Sequence, residues 1–224
     1  MSRTLAEGPS GSPRLIFFGG TFDPPHLGHV GIIKELRRQT GQRLVVVPTG
    51  IPGHRPRPIA TPQQRAEMVD IAVRALADEQ VSVCRWEVEQ NHPCFTIDTV
   101  ERWLAEWPET TIELALGSDV TAGLPTWKSA ARLMTLVRLL VFERGGAPES
   151  GEAVLTRLRQ LGFPVAGAAV IAVNAPTVDA TRVRERLARG ERCDTLLPAE
   201  VGEYIRAHGL YRPEAEAAAS PGEG

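Results

Sequence analysis

Short apolar, β-branched runs alternate along this chain with stretches in which apolar residues recur every three or four positions. Arg14 to Phe18 is short and apolar on both faces and reads as a buried strand. A Gly/Pro-rich turn follows. Leu27 to Gln39 then reads as a helix, with Val30, Ile33 and Leu36 on one side. Arg43 to Val47 is a second strand. Thr61-Pro62-Gln63-Gln64 predicts a helix start: Thr61 caps, Pro62 takes the first helical position, and Gln64 reaches back. Met68, Ile71, Ala72 and Ala75 continue its inner face. Val81 to Val88 reads as a third strand region. Asp98 and Glu101 then have capping-box spacing, ahead of an apolar stripe of Val100, Trp103, Leu104 and Trp107. Thr111 to Leu116 and Leu136 to Phe142 are two further strands. Beyond a loose link at Arg144 to Gly151 come a helix at Ala153 to Leu161 and a strand at Ala168 to Val173. Helices at Ala180 to Arg189 and Pro198 to His208 close the chain.

This alternation predicts an α/β domain, a doubly wound and mostly parallel sheet with helices on both faces. Ligands of such sheets bind beyond the carboxyl ends of the strands, where strand order reverses. The loops after the first, second, fourth and sixth strands are therefore the functional candidates. No repeat or boundary divides residues 14–212, which read as one domain. Residues 1–13, rich in Ser, Gly and Pro, and residues 213–224, rich in Ala, Glu, Gly and Pro, read as flexible tails.

Composition narrows the classes. A chain of 224 residues, 42% hydrophobic, has enough apolar material for one ordinary core. A net charge of −2 argues against nucleic-acid binding through a basic field. Cys84, Cys94 and Cys193 are scattered, which suits reduced thiols in the cytoplasm, and no clustered ligands suggest a structural metal site. No segment approaches the roughly 20 apolar residues of a membrane helix, and Met1 to Pro13 lacks the apolar stretch of a signal peptide. A homo-oligomer is left open.

The strongest chemical signal is the loop after the first strand, Gly19-Gly20-Thr21-Phe22-Asp23-Pro24-Pro25-His26-Leu27-Gly28-His29. Its glycines permit close backbone approach, its prolines stiffen the turn, and Asp23 suits a turn position. His26 and His29, three apart at a helix start, share one face, with Gly28 leaving space between them. A helix start also offers N–H groups to an anion, so the parts make a phosphate cradle with two imidazole donors. The same pair could instead cap the helix or bind a metal. Neither P-loop nor dinucleotide glycine spacing is present.

These eleven positions resemble the His-x-Gly-His signature of the nucleotidyltransferase superfamily, in the long form of the bacterial nicotinate-nucleotide adenylyltransferases. The resemblance covers about Arg14 to Arg212. It implies a Rossmann-like fold and transfer of AMP from ATP to nicotinate mononucleotide, with Mg²⁺ as cofactor and small molecules as the only substrates. By the same resemblance His26, His29 and Arg184 are catalytic. Gly19, Gly20, Thr21, Phe22, Gly28, Gly117, Asp119 and Thr181 hold the nucleotide, and Thr49, His54, Arg55, Thr96 and Trp127 hold the acceptor.

Several stretches carry the likeness and its departures. Pro48 to Arg55 resembles the family's loop ending Pro-Pro-His-Lys or Pro-Pro-His-Arg, with Gly53 in place of the second proline; Arg65 would organise it. Arg55 could fork a phosphate or lie solvated at the surface. Pro93 to Thr99 resembles Pro-Ser-Tyr-Thr-x-Asp-Thr, with Cys94 and Phe95 replacing Ser and Tyr. Thr96 could also be a helix cap. Gly117-Ser118-Asp119 resembles an element beside the ribose hydroxyls. Trp127 offers a face for a pyridine ring, or fills the core. Val178 to Arg184 resembles Ile-Ser-Ser-Thr-x-Ile-Arg, a phosphate-binding helix start, with Asp179 and Ala180 replacing the serines. Asp179 is a good N-cap whose charge opposes phosphate, so it is expected to point away from the nucleotide or lie near magnesium. Nicotinamide mononucleotide or phosphopantetheine as acceptor, and a nucleotide sensor without turnover, remain alternatives.

Overall fold

The computed structural model describes residues 14–53, 57–145 and 149–212. Six strands, β1 (Arg14–Gly20), β2 (Arg43–Pro48), β3 (Val81–Val83), β4 (Thr111–Gly117), β5 (Val137–Glu143) and β6 (Ala169–Ala172), form one sheet in the order β3-β2-β1-β4-β5-β6. All five pairings are parallel. The helices are α1 (Leu27–Thr40), α2 (Pro62–Arg74), α3 (Thr96–Glu106), α4 (Ser118–Thr121), α5 (Ala130–Leu136), α6 (Gly151–Gln160), α7 (Ala180–Ala188) and α8 (Ala199–Ala207). The chain winds outward from β1 to β3, then returns to place β4 on the other side of β1. That reversal falls between β1 and β4, whose carboxyl ends carry Gly20 and Gly117, the place where ligands of such sheets bind.

Alternation along the strands sorts the core into two layers. Leu15, Phe17, Val45, Val47, Ile112, Leu114, Leu139 and Val141 face α3, α5 and α6. Ile16, Phe18, Leu44, Val46, Ala115, Leu140 and Phe142 face α1 and α2. Central parallel strands are covered on both sides, so both side-chain sets must be apolar. Each fully buried Leu, Val or Phe contributes roughly 1.5–3 kcal/mol of transfer free energy. A third cluster joins Met68 and Ala72 of α2 to Val183 of α7, Val201 and Ile205 of α8, and Tyr211. It brings the C-terminal helices beside the loops that leave β1 and β2.

Four local readings differ from the sequence expectation. The third strand stops at Val83, and Trp86–Glu89 form a 3₁₀ turn instead. The turn buries the Glu87 side chain, which no strand alternation would have indicated. α3 begins at Thr96, so Asp98 is its third residue rather than its cap, and its Oδ2 accepts the Phe95 N–H at 3.0 Å. Leu136 ends a helix, because Ala130 to Leu136 makes two turns whose buried residues run into the strand. α6 starts at Gly151, two residues early, where the Ser150 hydroxyl caps it by accepting the Ala153 N–H. Among the described residues no helix is long and apolar enough to cross a membrane.

Candidate active site

His26 and His29 meet at the start of α1, and their backbone geometry fixes their chemistry. The His29 N–H donates to His26 Nδ1 at 3.4 Å, and the His26 N–H donates to His29 Nδ1 at 3.2 Å. The pair is a capping box made of two imidazoles, with rings stacked 3.7 Å apart and 20° from parallel. Capping and ligand binding do not compete here. Each Nδ1 accepts a backbone proton, so each neutral ring carries its own proton on Nε2 and can donate it outward. The structure takes other donors away, because the N–H groups of Leu27 and Val30 already bond Leu196 O and His26 O. The outward donors at this helix start therefore come chiefly from side chains.

Burial holds both rings neutral. His26 is lowered to about 4, first by desolvation and then by the Arg144 guanidinium, with Asp179 opposing. His29 lies well below the ordinary imidazole value through desolvation, its neighbour His26 and Arg144. The Phe22 ring, buried at φ 52° in the left-handed region, stands edge-on to His29 at 4.8 Å. A bulky residue there costs roughly 1–2 kcal/mol of backbone strain, offset by burying the ring. The Phe22 side chain therefore supports His29 and is not itself exposed to a ligand.

A pH dependence of stability follows. Unfolded, each histidine protonates near 6.5; folded, His26 resists protonation down to about 4. Between those values the unfolded chain binds more protons, so stability falls as pH drops through that window. His26 alone accounts for a loss on the order of 3 kcal/mol. Urea midpoints at pH 7.5 and 4.5 should differ accordingly, and His26→Gln should shrink the difference; equal midpoints would show that the rings are not held neutral.

Thr181 and Arg184, far along the sequence from both histidines, are brought to the same place. Arg184 donates from Nη1 to the Asp23 carbonyl at 2.8 Å and from Nη2 to Thr181 Oγ1 at 3.3 Å. The segment ahead of α7 lies on the first turn of α1: a Cβ on Gly28 would stand 2.8 Å from the Pro176 carbonyl oxygen. Asp179 caps α7. Its Oδ1 accepts the Thr181 N–H at 2.8 Å, so an anion already occupies the start of α7, and its field reaches His26. At the carboxyl ends of β4 and β5, Asp119 pairs with Arg144 at 3.3 Å. Gly19 and Gly20 end β1, Thr21 follows them, and Gly117 ends β4, all at the same carboxyl edge of the sheet.

The second half of the site lies over β2 and α3. The Thr49 N–H donates to Gly20 O at 2.9 Å, and Ile51 bridges Pro93, so the loop after β2 runs between the β1 loop and the α3 start. Gly53 lies against Phe95; a Cβ there would come within 3.1 Å of the ring. Lys128 Nζ sits 4.5 Å from the Phe95 ring centroid and pairs with Asp98 at 3.0 Å. The two departures Gly53 and Phe95 are thus one packing unit. Thr96, half-buried, is the first residue of α3 and not its cap, and Trp127 is half-buried against the core around Ile97 and Leu124. His54 and Arg55 lie outside the described residues.

Arg65 fastens these loops together. Fully buried, it donates to Thr21 O and Gly50 O at 2.7 Å each and to Ala60 O at 3.3 Å. Asp23 and Glu87 supply compensating negative charge around it. Glu87 accepts the Thr99 hydroxyl at 2.6 Å and the Gly50 N–H at 3.4 Å, and burial pushes its carboxyl up. Sequence reasoning missed Arg144, Glu87 and Tyr211. Arg144 carried the one usable signal, a cation directly after a strand at the sheet's carboxyl end.

Comparison with known proteins supplies the family. The cytidylyltransferase-like family model matches residues 17–186. The nicotinate-nucleotide adenylyltransferase of Salmonella typhimurium is 33% identical over 209 residues, covering 87% of this chain and 97% of that protein. The Salmonella typhi protein of the same name matches equally. The nicotinic acid mononucleotide adenylyltransferase of Plasmodium falciparum, solved in complex with NaAD, shares the fold at a TM-score of 0.73 and 17% identity, over 89% of this chain and 97% of that one. The chain belongs to the cytidylyltransferase-like family, and within it to the nicotinate-nucleotide adenylyltransferases.

Proposed function

We propose that this chain transfers AMP from ATP to nicotinate mononucleotide, giving nicotinate adenine dinucleotide and pyrophosphate, a step of NAD biosynthesis. The observation that carries the reading is the meeting of the imidazole pair with the first turn of α7, tied by Arg184 to the Asp23 carbonyl. An acceptor phosphate oxygen attacks the α-phosphorus in line, and the bond to the bridging oxygen of pyrophosphate breaks. The phosphate is already anionic, so no general base or protein nucleophile is required. His26 and His29 donate Nε2–H to the phosphates as neutral groups, and Thr181, Arg184 and Arg144 add further donors. Gly19, Gly20, Thr21, Gly28, Gly117 and Asp119 seat the ATP. Thr49, Thr96 and Trp127, with His54 and Arg55, seat the acceptor.

Mg²⁺ fits this reading as part of the ATP substrate, neutralising the departing pyrophosphate. Among the described residues no three His, Cys, Asp or Glu side chains cluster as a metal cage, while the exposed carboxylates of Asp119 and Asp179 stand at the rim. We read residues 14–212 as a single domain working in the cytoplasm, where Cys84, Cys94 and Cys193 stay as free thiols.

The test is pyrophosphate release with ATP and Mg²⁺ and, side by side, nicotinate mononucleotide, nicotinamide mononucleotide and phosphopantetheine. The first should give the highest kcat/KM; release with only another acceptor would contradict the reading. Asp179 adds a prediction. Its carboxylate holds the Thr181 N–H that a phosphate would otherwise take. Asp179→Ser keeps a cap and removes the charge, so ATP should bind about three- to tenfold tighter by calorimetry. Much weaker binding would mean that the carboxylate assists the nucleotide.

A further inference from the structure

The C-terminal end of the described chain reaches back into the site through one hydroxyl. Tyr211 is buried, 4% exposed, and its O–H donates to Asp23 Oδ1 at 2.8 Å, across 188 positions of sequence. Its φ of 65° lies in the left-handed region, where a bulky side chain is strained, and Gly209 just before it turns at φ 59°. Burial of the ring in the cluster with Ala60, Met68 and Ile205 offsets that strain. Filling this cluster would need only an apolar ring. The hydroxyl has a separate partner.

That partner is occupied on two sides. The Asp23 carboxylate also accepts the Ala60 N–H on Oδ1 at 3.1 Å and the Ile59 N–H on Oδ2 at 2.9 Å. Ile59 and Ala60 end the loop that leaves β2 at Pro48 and includes His54 and Arg55. The other end of that loop is held at Gly50 by Arg65 and Glu87. The Asp23 backbone carbonyl, by contrast, is fixed independently by Arg184, with Thr21 O alongside held by Arg65.

We propose that Tyr211 is a positioning residue for the acceptor side of the reaction, orienting the Asp23 carboxylate so that it anchors the Ile59–Ala60 end of the loop after β2. The proposal rests on the functional reading above. The hydroxyl fixes the rotation of the carboxylate. Without it, Oδ1 loses its side-chain donor in a buried setting, and both backbone bonds to the loop weaken. Arg184 and the imidazoles keep their own bonds, so the ATP side is spared.

The test is Tyr211→Phe in the full chain, which removes one oxygen and keeps the ring. With each substrate varied in turn, KM for nicotinate mononucleotide should rise about tenfold and KM for ATP should change less than about twofold. Amide hydrogen exchange supplies a readout independent of the acceptor: Ile59 and Ala60 should exchange roughly tenfold faster, while the amides of α8 stay protected. Equal changes in both KM values, or unchanged exchange at Ile59 and Ala60, would overturn the proposal. Faster exchange at those two amides in a protein that does not use nicotinate mononucleotide would sink the functional reading and leave the anchor standing.

Discussion

Replacing His29 by alanine is expected to lower turnover by about 10²–10³-fold while the protein stays folded, the usual consequence of deleting one donor aimed at developing charge. The imidazole does two jobs that separate variants can tell apart. Its Nδ1 accepts the His26 N–H at 3.2 Å and closes the capping box. Its Nε2–H is the donor assigned to the phosphates. Asparagine can place an oxygen near the Nδ1 position but offers nothing at Nε2. His29→Asn should therefore recover most of the stability lost by His29→Ala, typically ~1 kcal/mol for a cap, and almost none of the rate. Single-turnover rates and thermal unfolding of the two variants make the comparison. Near-normal turnover in folded His29→Ala would remove the catalytic assignment.

Arg65→Met is expected to cost about 3–5 kcal/mol of stability, because removing one member of a buried charged network strands the rest. Three carbonyls, from Thr21, Gly50 and Ala60, lose their donor, and Asp23 and Glu87 lose the cation between them. The loss should show as a large drop in the urea midpoint at unchanged slope. Arg65→Lys keeps the charge, but one ammonium cannot span carbonyls on three segments as the planar fork does. It should recover part of the stability and leave the acceptor loop loose, with acceptor KM raised more than ATP KM. Wild-type stability in Arg65→Met would show that the network is ornamental to the fold.

The strands were legible because parallel strands covered on both faces leave uninterrupted apolar runs, and five of the six fell close to their expected bounds. The first turns of α1 and α2 were legible because caps are local in sequence. α5 was hidden because its buried Leu133 and Met134 merge with the apolar run of β5. Asp98 misplaced the start of α3 by three residues, since an acidic third residue and an acidic cap both announce a helix start. At the site, the imidazole pair and the α7 start were visible as local patterns. What joins them was not. The bonds from Arg184 to Asp23, from Tyr211 to Asp23 and from Arg65 to Gly50 span 161, 188 and 15 positions, and a side-chain bond to a group outside its own element leaves no periodicity to read.

The central physical claim is that two neutral imidazoles, each protonated on Nε2, present their protons to the polyphosphate. Nitrogen-15 NMR of protein labelled in its histidine rings measures this directly, because the Nδ1 and Nε2 shifts distinguish the two tautomers and the charged form. The account predicts that at pH 7 both His26 and His29 show an unprotonated Nδ1 and a protonated Nε2, and that His26 keeps this signature until the pH approaches 4. A doubly protonated ring on either residue at pH 7, or a proton on either Nδ1, would contradict it.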